Sequence, residues 1–361
     1  MDLQDDILKS KVVYQDMENI YSRNLNWEVL RNSSVLISGA TGMLASYLVY
    51  YLIWLNEIHD YHIQIKILVR SVDKSKKYFG RYIDKQYFFV YTDDLCKPLN
   101  IERVDYIIHA ASLASPQYYQ SAPVEVVAPN VIGTYHLLEF SRKNRVKGFL
   151  YLSSGDVYGK MPYDTDKIKE DDMGTINPLD VHSCYSEGKR MGETWCASFA
   201  REYQVPVKIA RVAHTYSPTM DIYNDSRVFS SFVQCLVDGK DIVILSDGKA
   251  KRPFCYINDA LAGFFLILLK GNSGEAYNVC NEEEFVSISR LADILASLST
   301  NNIGVIYKKR RSKEEYVENN SNKANLPSAE KLKKLGWECQ FNIGAGFQRV
   351  LDFLTEKGLY Q

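Results

Sequence analysis

The sequence lacks a charge imbalance, a cysteine framework and any long apolar run, and each absence removes a class of function. Its 361 residues carry 43 Lys+Arg against 44 Asp+Glu, a net charge of -1, so no overall field gathers nucleic acid or an anionic membrane. Any anionic ligand has to be held by a local cluster. The seven cysteines, at 96, 184, 196, 235, 255, 280 and 339, are odd in number, scattered and without a C-x-x-C pair. They suggest neither a disulfide framework nor a metal site. The most apolar stretch, Leu44 to Leu55, is about a dozen residues and too short to cross a bilayer. The opening MDLQDDILKSKVVYQ has neither a basic start before an apolar run nor a small-residue cleavage site, so a cytoplasmic protein is the expectation. No repeat or low-complexity tract is present.

What is there is 46% hydrophobic residues, enough to bury a large core. Residues 1–30 read as a helical lead-in. Ser34–Ser38 reads as a short buried strand running into a glycine turn and a long apolar helix. Further buried strands are expected at Gln64–Val69, Phe88–Tyr91, Asp105–His109, Phe149–Ser153 and Val207–Ala210, with helices over Pro123–Asn144 and Tyr185–Tyr203. Strands alternating with helices predict an α/β fold, a doubly wound parallel sheet covered on both faces. From residue 212 the pattern is less regular, with short strands at Asp241–Leu245, Ala276–Val279 and Ile303–Lys308 and helices at Val228–Asp238, Asp259–Lys270 and Ser287–Ser297. This predicts a smaller mixed α/β lobe over 212–361, in which Tyr307–Asn322 is a charged loop.

Gly39-Ala-Thr41-Gly42-Met43-Leu44-Ala45 follows the first strand and opens the helix, the context that a dinucleotide fingerprint requires. Gly39 permits the tight turn, Gly42 lets backbone approach the pyrophosphate, and Ala45 permits close helix–strand packing. Residues 1–211 are thereby expected to form a dinucleotide-binding, Rossmann-type domain. The second strand ends in Arg70-Ser71, not in the acidic residue that binds a ribose 2′-hydroxyl, and an Arg there can pair with a 2′-phosphate. That leans towards NADP, whereas a solvated Arg70 with Asp73 taking the ribose leaves NAD open. Asp94-Leu95 and His109-Ala110-Ala111 end the third and fourth strands and are placed to flank the cofactor.

Tyr185-Ser-Glu-Gly-Lys189 puts a phenol and an ammonium four residues apart, on one helix face. A nearby positive charge favours phenolate, so Lys189 is expected to lower the Tyr185 pKa. Tyr185 would then exchange a proton with a substrate hydroxyl while Lys189 holds the nicotinamide ribose. Ser154, at the end of the strand before Gly155-Asp156-Val157-Tyr158-Gly159, would hydrogen-bond the reacting oxygen.

Together these motifs resemble the extended short-chain dehydrogenase/reductases of sugar-nucleotide metabolism, the NAD-dependent epimerase/dehydratase group, over nearly the whole chain. Within that group the likeness is greatest to UDP-glucuronate decarboxylases, through Ala114-Ser115-Pro116, Ser183-Cys-Tyr-Ser-Glu-Gly-Lys-Arg190, Asn224-Asp-Ser-Arg-Val228, Arg252-Pro-Phe-Cys-Tyr256 and Leu335-Gly-Trp337. The resemblance implies a nucleotide-diphosphate-sugar pocket in which Ser115 and Asn224 meet the sugar or its phosphate and Arg227 and Arg252 hold phosphate oxygens. It also implies oxidation at C4 to a keto intermediate, and a homodimer formed through the helices at 123–144 and 185–203. Arg suits such a role because its planar fork makes bidentate contacts to phosphate.

Two departures stand out. Where the decarboxylases have Thr-Ser-Glu and the 4,6-dehydratases Thr-Asp-Glu, this chain has Ser154-Gly155-Asp156. Gly155 can supply neither acid nor base, which disfavours elimination of water. Asp156 keeps a carboxylate but is one methylene shorter. His214 stands where the family has an asparagine. The readings carried forward are decarboxylation, 4-epimerisation, net NADPH-dependent reduction of a keto-sugar, and a non-catalytic nucleotide-binding regulator on the same fold.

Overall fold

The computed structural model describes residues 6–23, 25–162, 165–308 and 326–360. The chain enters through α1 (Lys11–Ser22), capped by the Ser10 hydroxyl, and then forms β1 (Ser34–Ser38), every residue of which is buried. A glycine turn leads to α2 (Met43–His59), β2 (Gln64–Val69), α3 (Val72–Phe79), β3 (Phe88–Thr92) and β4 (Tyr106–His109). Next come α4 (Gln117–Ser121), α5 (Pro123–Ala128), α6 (Thr134–Asn144), β5 (Gly148–Ser154), the two-residue β6 (Lys167–Ile168), α7 (Cys184–Tyr203) and β7 (Val207–Val212). The rest of the chain runs through β8 (His214–Tyr216), α8 (Val228–Val237), β9 (Ile242–Ile244), β10 (Lys251–Tyr256), α9 (Ile257–Lys270) and β11 (Ala276–Val279). It ends with β12 (Phe285–Ser287), α10 (Ile288–Leu298), β13 (Val305–Tyr307), β14 (Leu326–Pro327), α11 (Glu330–Lys333) and α12 (Ile343–Glu356).

Seven strands make one parallel sheet in the order β11-β7-β5-β4-β1-β2-β3. The direction of winding reverses between β1 and β4, and open α/β sheets bind ligands outside the carboxyl ends of the strands at such a switch. Ser38, His109 and Ser154 are the last residues of β1, β4 and β5. The positions that matter most therefore end three adjacent strands.

Burial explains why the helices are so apolar. Helix α2 is buried from Ala45 to Asn56 and α9 from Ile257 to Leu268, because each lies between the sheet and an outer layer. For α2 and α9 that layer includes α1, whose Asp16 is fully buried and accepts hydrogen bonds from Tyr47 (2.5 Å), Tyr256 (2.6 Å) and Arg349 (2.9 Å). Arg23 closes the same seam on Asp259 at 2.6 Å. The N-terminal lead-in is thus bolted to α2, α9 and α12 through buried charges, which is costly unless each is paired. Among the described residues, no helix is long and apolar enough to cross a membrane.

Several sequence expectations change in detail. The helix expected over Pro123–Asn144 is three pieces, with a π turn at Pro129–Gly133 between α5 and α6. Pro129 has no N–H to continue the α ladder, and Gly133 lets Leu95 pack where a Cβ would lie 2.7 Å from its Cγ. Strands β8, β10 and β12 form a second sheet that periodicity missed, since pieces of three to six residues are too short to show a period. The boundary expected at 211/212 does not separate two sheets, because β11 pairs with β7 and supplies the edge of the large one. The expected loop at Tyr307–Asn322 lies, beyond Lys308, outside the described residues.

Candidate active site

The glycine turn is built as a dinucleotide turn must be. Gly39 leaves β1 at φ +68°, and a Cβ there would lie 2.6 Å from the Ala111 Cα and 2.9 Å from its nitrogen. Only glycine fits both the left-handed backbone and that approach. Gly42 has an ordinary φ of -78° and caps α2 without a side-chain hydrogen bond, leaving the first-turn N–H groups and the positive helix end for an anion. Thr41, Met43 and Leu44 are half-buried around it.

His109 plays a part other than the one its position predicted. It is buried, and burial pulls its pKa down to about 3, with Lys189 adding to the effect. Thr134 gives its own proton to the Asn130 carbonyl (2.6 Å) and so accepts from His109 Nε2 at 3.0 Å. Nδ1 then accepts from the Ser38 hydroxyl at 2.8 Å, and that oxygen takes the Ala110 and Ala111 N–H groups at 3.2 and 3.3 Å. With both ring nitrogens used, His109 fixes the backbone of Ala110 and Ala111 against Gly39 and has no side-chain valence left for a ligand. Leu95 is likewise buried, whereas Asp94 and Arg70 are exposed. The Arg70 guanidinium is 3.9 Å from Glu125 with both side chains well solvated, a pair worth little.

The three residues expected to be catalytic, Ser154, Tyr185 and Lys189, meet where α7 crosses the end of β5. Tyr185 and Lys189 lie on the buried face of α7 with Gly188 and Gly192, and a Cβ at Gly192 would overlap the Tyr151 hydroxyl. Gly192 thus lets the helix approach the strand, whereas Gly188 faces Asn130 and Val127 of the preceding helical segment. Lys189 Nζ donates to the Leu152 carbonyl at 2.6 Å and sits 4.8 Å from the Tyr151 ring centroid. Burial pulls its pKa down to about 7, against an opposing pull from Glu193. The Ser154 hydroxyl accepts the Asp156 N–H at 3.1 Å and hydrogen-bonds the Tyr185 phenol.

The expectation that Lys189 lowers the Tyr185 pKa is corrected. Burial, helped by the Asp156 carboxylate, pushes the phenol well above its ordinary value, and the groups that oppose this are Ser154 and Arg227. Lys189 Nζ is 5.8 Å from the Tyr185 ring centroid and is itself half-deprotonated near neutrality. In the ligand-free protein the phenol holds its proton.

On the substrate side, Ser115 meets Ser226 at 3.3 Å, which joins the loop after β4 to the segment before α8. Arg227 reaches Met43 Sδ at 3.7 Å, so it spans from α8 to the glycine turn. Its fork is engaged by Asp225, with Nε at 2.8 and 3.0 Å and Nη2 at 2.5 Å. Burial raises the Asp225 pKa, but Arg227 outweighs it and holds the carboxyl below its ordinary value. Asn224 is exposed and bonded to Asp221 at 2.9 Å. Arg252, half-buried in β10, donates to the Lys251 carbonyl at 2.7 Å. The structure thus gathers Met43, Ser115, Arg227, Ser154, Asp156, Tyr185 and Lys189, while these contacts of Asn224 and Arg252 are local.

Sequence reasoning missed Tyr119, whose ring stacks on Tyr185 at 5.4 Å and 13°. It also missed Arg190, which clamps the turn after Ser154 through the Val157 carbonyl (2.6 Å) and the Gly174 carbonyl (2.9 Å). Glu193, four residues after Lys189, was findable from helical spacing alone.

Fold and site together define a dinucleotide-dependent enzyme of the short-chain dehydrogenase/reductase type. The chain belongs to the NAD-dependent epimerase/dehydratase family, whose model matches residues 35–280. It is 32% identical over 334 residues to UDP-glucuronic acid decarboxylase 5 of Arabidopsis thaliana, covering 91% of this chain and 92% of that one. To UDP-glucuronic acid decarboxylase 1 of Xenopus tropicalis it is 28% identical, covering 90% and 72%. Among solved structures, a UDP-glucose 4-epimerase of Thermotoga maritima has the same fold, with TM-score 0.75 at 22% identity over 90% of this chain and 99% of that one.

Proposed function

We propose that this protein converts a nucleotide-diphosphate sugar by oxidising its C4 hydroxyl, with UDP-glucuronate as the substrate and decarboxylation as the outcome. The observation that carries the reading is the convergence of Ser154, Tyr185 and Lys189 beside the glycine turn at the sheet's switch point. The relatives named above support the choice of substrate. The dinucleotide, when bound, supplies the hydride acceptor and donor.

Gly39 and Gly42 with Thr41, Met43 and Leu44 would hold its pyrophosphate, while Asp94, Ala110 and Ala111 would border the adenosine and nicotinamide halves. Lys189 would meet the nicotinamide ribose. The Tyr185 phenol first gives its proton to solvent; as phenolate it accepts the proton of the C4 hydroxyl, which Ser154 orients by hydrogen bond, and it returns a proton when the carbonyl is reduced. Its raised pKa makes it a good donor in the second half. Asp156 lies next to this pair and keeps a carboxylate in the site. Ser115, Asn224, Arg227 and Arg252 would hold the sugar diphosphate. Once C4 is a ketone, a carboxyl on C5 is a β-keto acid and leaves as carbon dioxide, and the enolate left behind takes a proton from water at C5 before C4 is reduced.

Elimination of water needs an additional acid that this site lacks. A Cβ at Gly155 would meet nothing nearer than the Val212 carbonyl at 3.9 Å, so packing does not compel a glycine where the dehydratases carry an acid. A second reading, net reduction of a keto-sugar with NADPH, rests on Arg70 at the end of β2. The exposed apolar side chains of Val124 (78%) on α5, Ile132 on the π turn and Met191 on α7 support a homodimer through these helices. A cytoplasmic location and a division into a dinucleotide domain (1–211) and a sugar-binding lobe (212–361) complete the proposal.

Deuterium at C4 of UDP-glucuronate tests it. A primary isotope effect on kcat/KM is expected, and its absence with turnover intact would move the chemistry away from C4.

A further inference from the structure

Under the catalytic pair lies a buried ion cluster that the reaction itself does not use. The Glu193 carboxylate takes the Ser153 hydroxyl at 2.5 Å on Oε1, and Arg211 grips both oxygens, Nε to Oε1 at 3.0 Å and Nη2 to Oε2 at 2.7 Å. Arg211 is fastened in turn, by its Nη1 to the Glu170 carbonyl at 2.6 Å and by its guanidinium 4.8 Å from the Tyr158 ring centroid. Both members of the pair are buried. A buried ion pair is a poor device for stability, since desolvation consumes most of its attraction. Its place is more telling. Ser153 adjoins Ser154, and Glu193 sits one helical turn beyond Lys189 on the same face of α7.

We infer that Glu193, held by Arg211 and Ser153, is a positioning residue that raises the charged fraction of Lys189 and keeps it seated beneath Tyr185. The inference rests on the reading of Lys189 as the ribose-holding group. The groups that face Lys189 divide cleanly. From β4 comes His109, neutral and fully engaged; from β5 come the Tyr151 ring and the Leu152 carbonyl; from α7 itself come Tyr185, Cys196 and Glu193. Arg227 and Asp156 act on Tyr185. Glu193 is the acidic group among them that offsets the burial of the ammonium. Arg211 limits that effect by neutralising part of the carboxylate, so its grip and that of Ser153 set how much negative field reaches Lys189.

The test reads Lys189 directly, by NMR titration of protein labelled at the lysine side chains, with the resonance assigned by its loss in Lys189→Met. Wild type should titrate at about 7. Glu193→Gln removes the anion and leaves Arg211, so the midpoint should fall by about one unit or more. Ser153→Ala removes a donor from the carboxylate and should move the midpoint the other way, by a smaller amount. Opposite signs are not expected of general loosening. An unmoved midpoint in folded Glu193→Gln overturns the inference; if that variant does not fold, an unmoved or lowered midpoint in Ser153→Ala does. Neither outcome depends on turnover of any sugar, so failure here is distinct from failure of the proposed reaction.

Discussion

Replacing Gly39 by alanine should damage this protein far more than replacing Gly42, although both glycines belong to the same turn. At Gly39 the φ of +68° costs an L-residue roughly 1–2 kcal/mol before any contact is counted. The new methyl would then sit 2.6 Å from the Ala111 Cα, a backbone atom, so the segment after β4 has to move. That movement breaks the Ala110 and Ala111 N–H bonds to Ser38, each worth about 1 kcal/mol. The sum is on the order of 3–4 kcal/mol, a fall in Tm of several degrees for a chain of this size. Dinucleotide affinity should drop with it, since the same loops border the cofactor. At Gly42 the φ is ordinary and the methyl would meet the Gly39 carbonyl at 3.3 Å, a contact relieved by a few tenths of an ångström. Gly42→Ala should therefore keep its stability within about 0.5 kcal/mol of wild type, the usual scale of a mild surface change. Thermal denaturation paired with calorimetry of NAD and NADP binding measures both variants. Equal Tm values for the two, or a Gly39→Ala protein that binds dinucleotide normally, would refute the reasoning.

Tyr185→Phe should lower turnover by about 10² to 10⁴, the range for removing a general acid–base group, with dinucleotide binding kept; near-normal steady-state rates would remove Tyr185 from the mechanism. Because Lys189 loses its proton at about 7 in the ligand-free protein, dinucleotide affinity should weaken as pH rises through neutrality, by up to about tenfold per unit. Calorimetry from pH 6 to 9 on wild type and Lys189→Met checks this, and a dependence that survives the substitution assigns it elsewhere. Arg252→Ala should weaken binding of the free nucleoside diphosphate by roughly 1.5–3 kcal/mol with partial rescue by Arg252→Lys. Unchanged diphosphate affinity would leave Arg227 as the remaining clamp.

The parts legible in the sequence are those whose physics is local. Ser34–Ser38, the glycine turn and α2 stand together in one stretch of chain, and the Tyr185–Lys189 spacing is a property of any helix. Ser154 was visible because it ends an apolar run. What stayed hidden depends on partners far along the chain. His109 looks like a ligand-facing residue until Ser38 and Thr134, 71 and 25 residues away, close on its two nitrogens. The raised Tyr185 pKa follows from burial, which no motif encodes. Strand β11 returns to the large sheet after a long excursion, and its placement follows from pairing with β7 that sequence order does not reveal.

The central claim is C4 chemistry on UDP-glucuronate, and mass spectrometry of the nucleotide sugar after incubation with the protein tests it most directly. The account predicts a product lighter by one carbon dioxide, formed by wild type and not by Tyr185→Phe. A product lighter by one water would contradict it, as would an unchanged nucleotide sugar with a dinucleotide-loaded, folded protein.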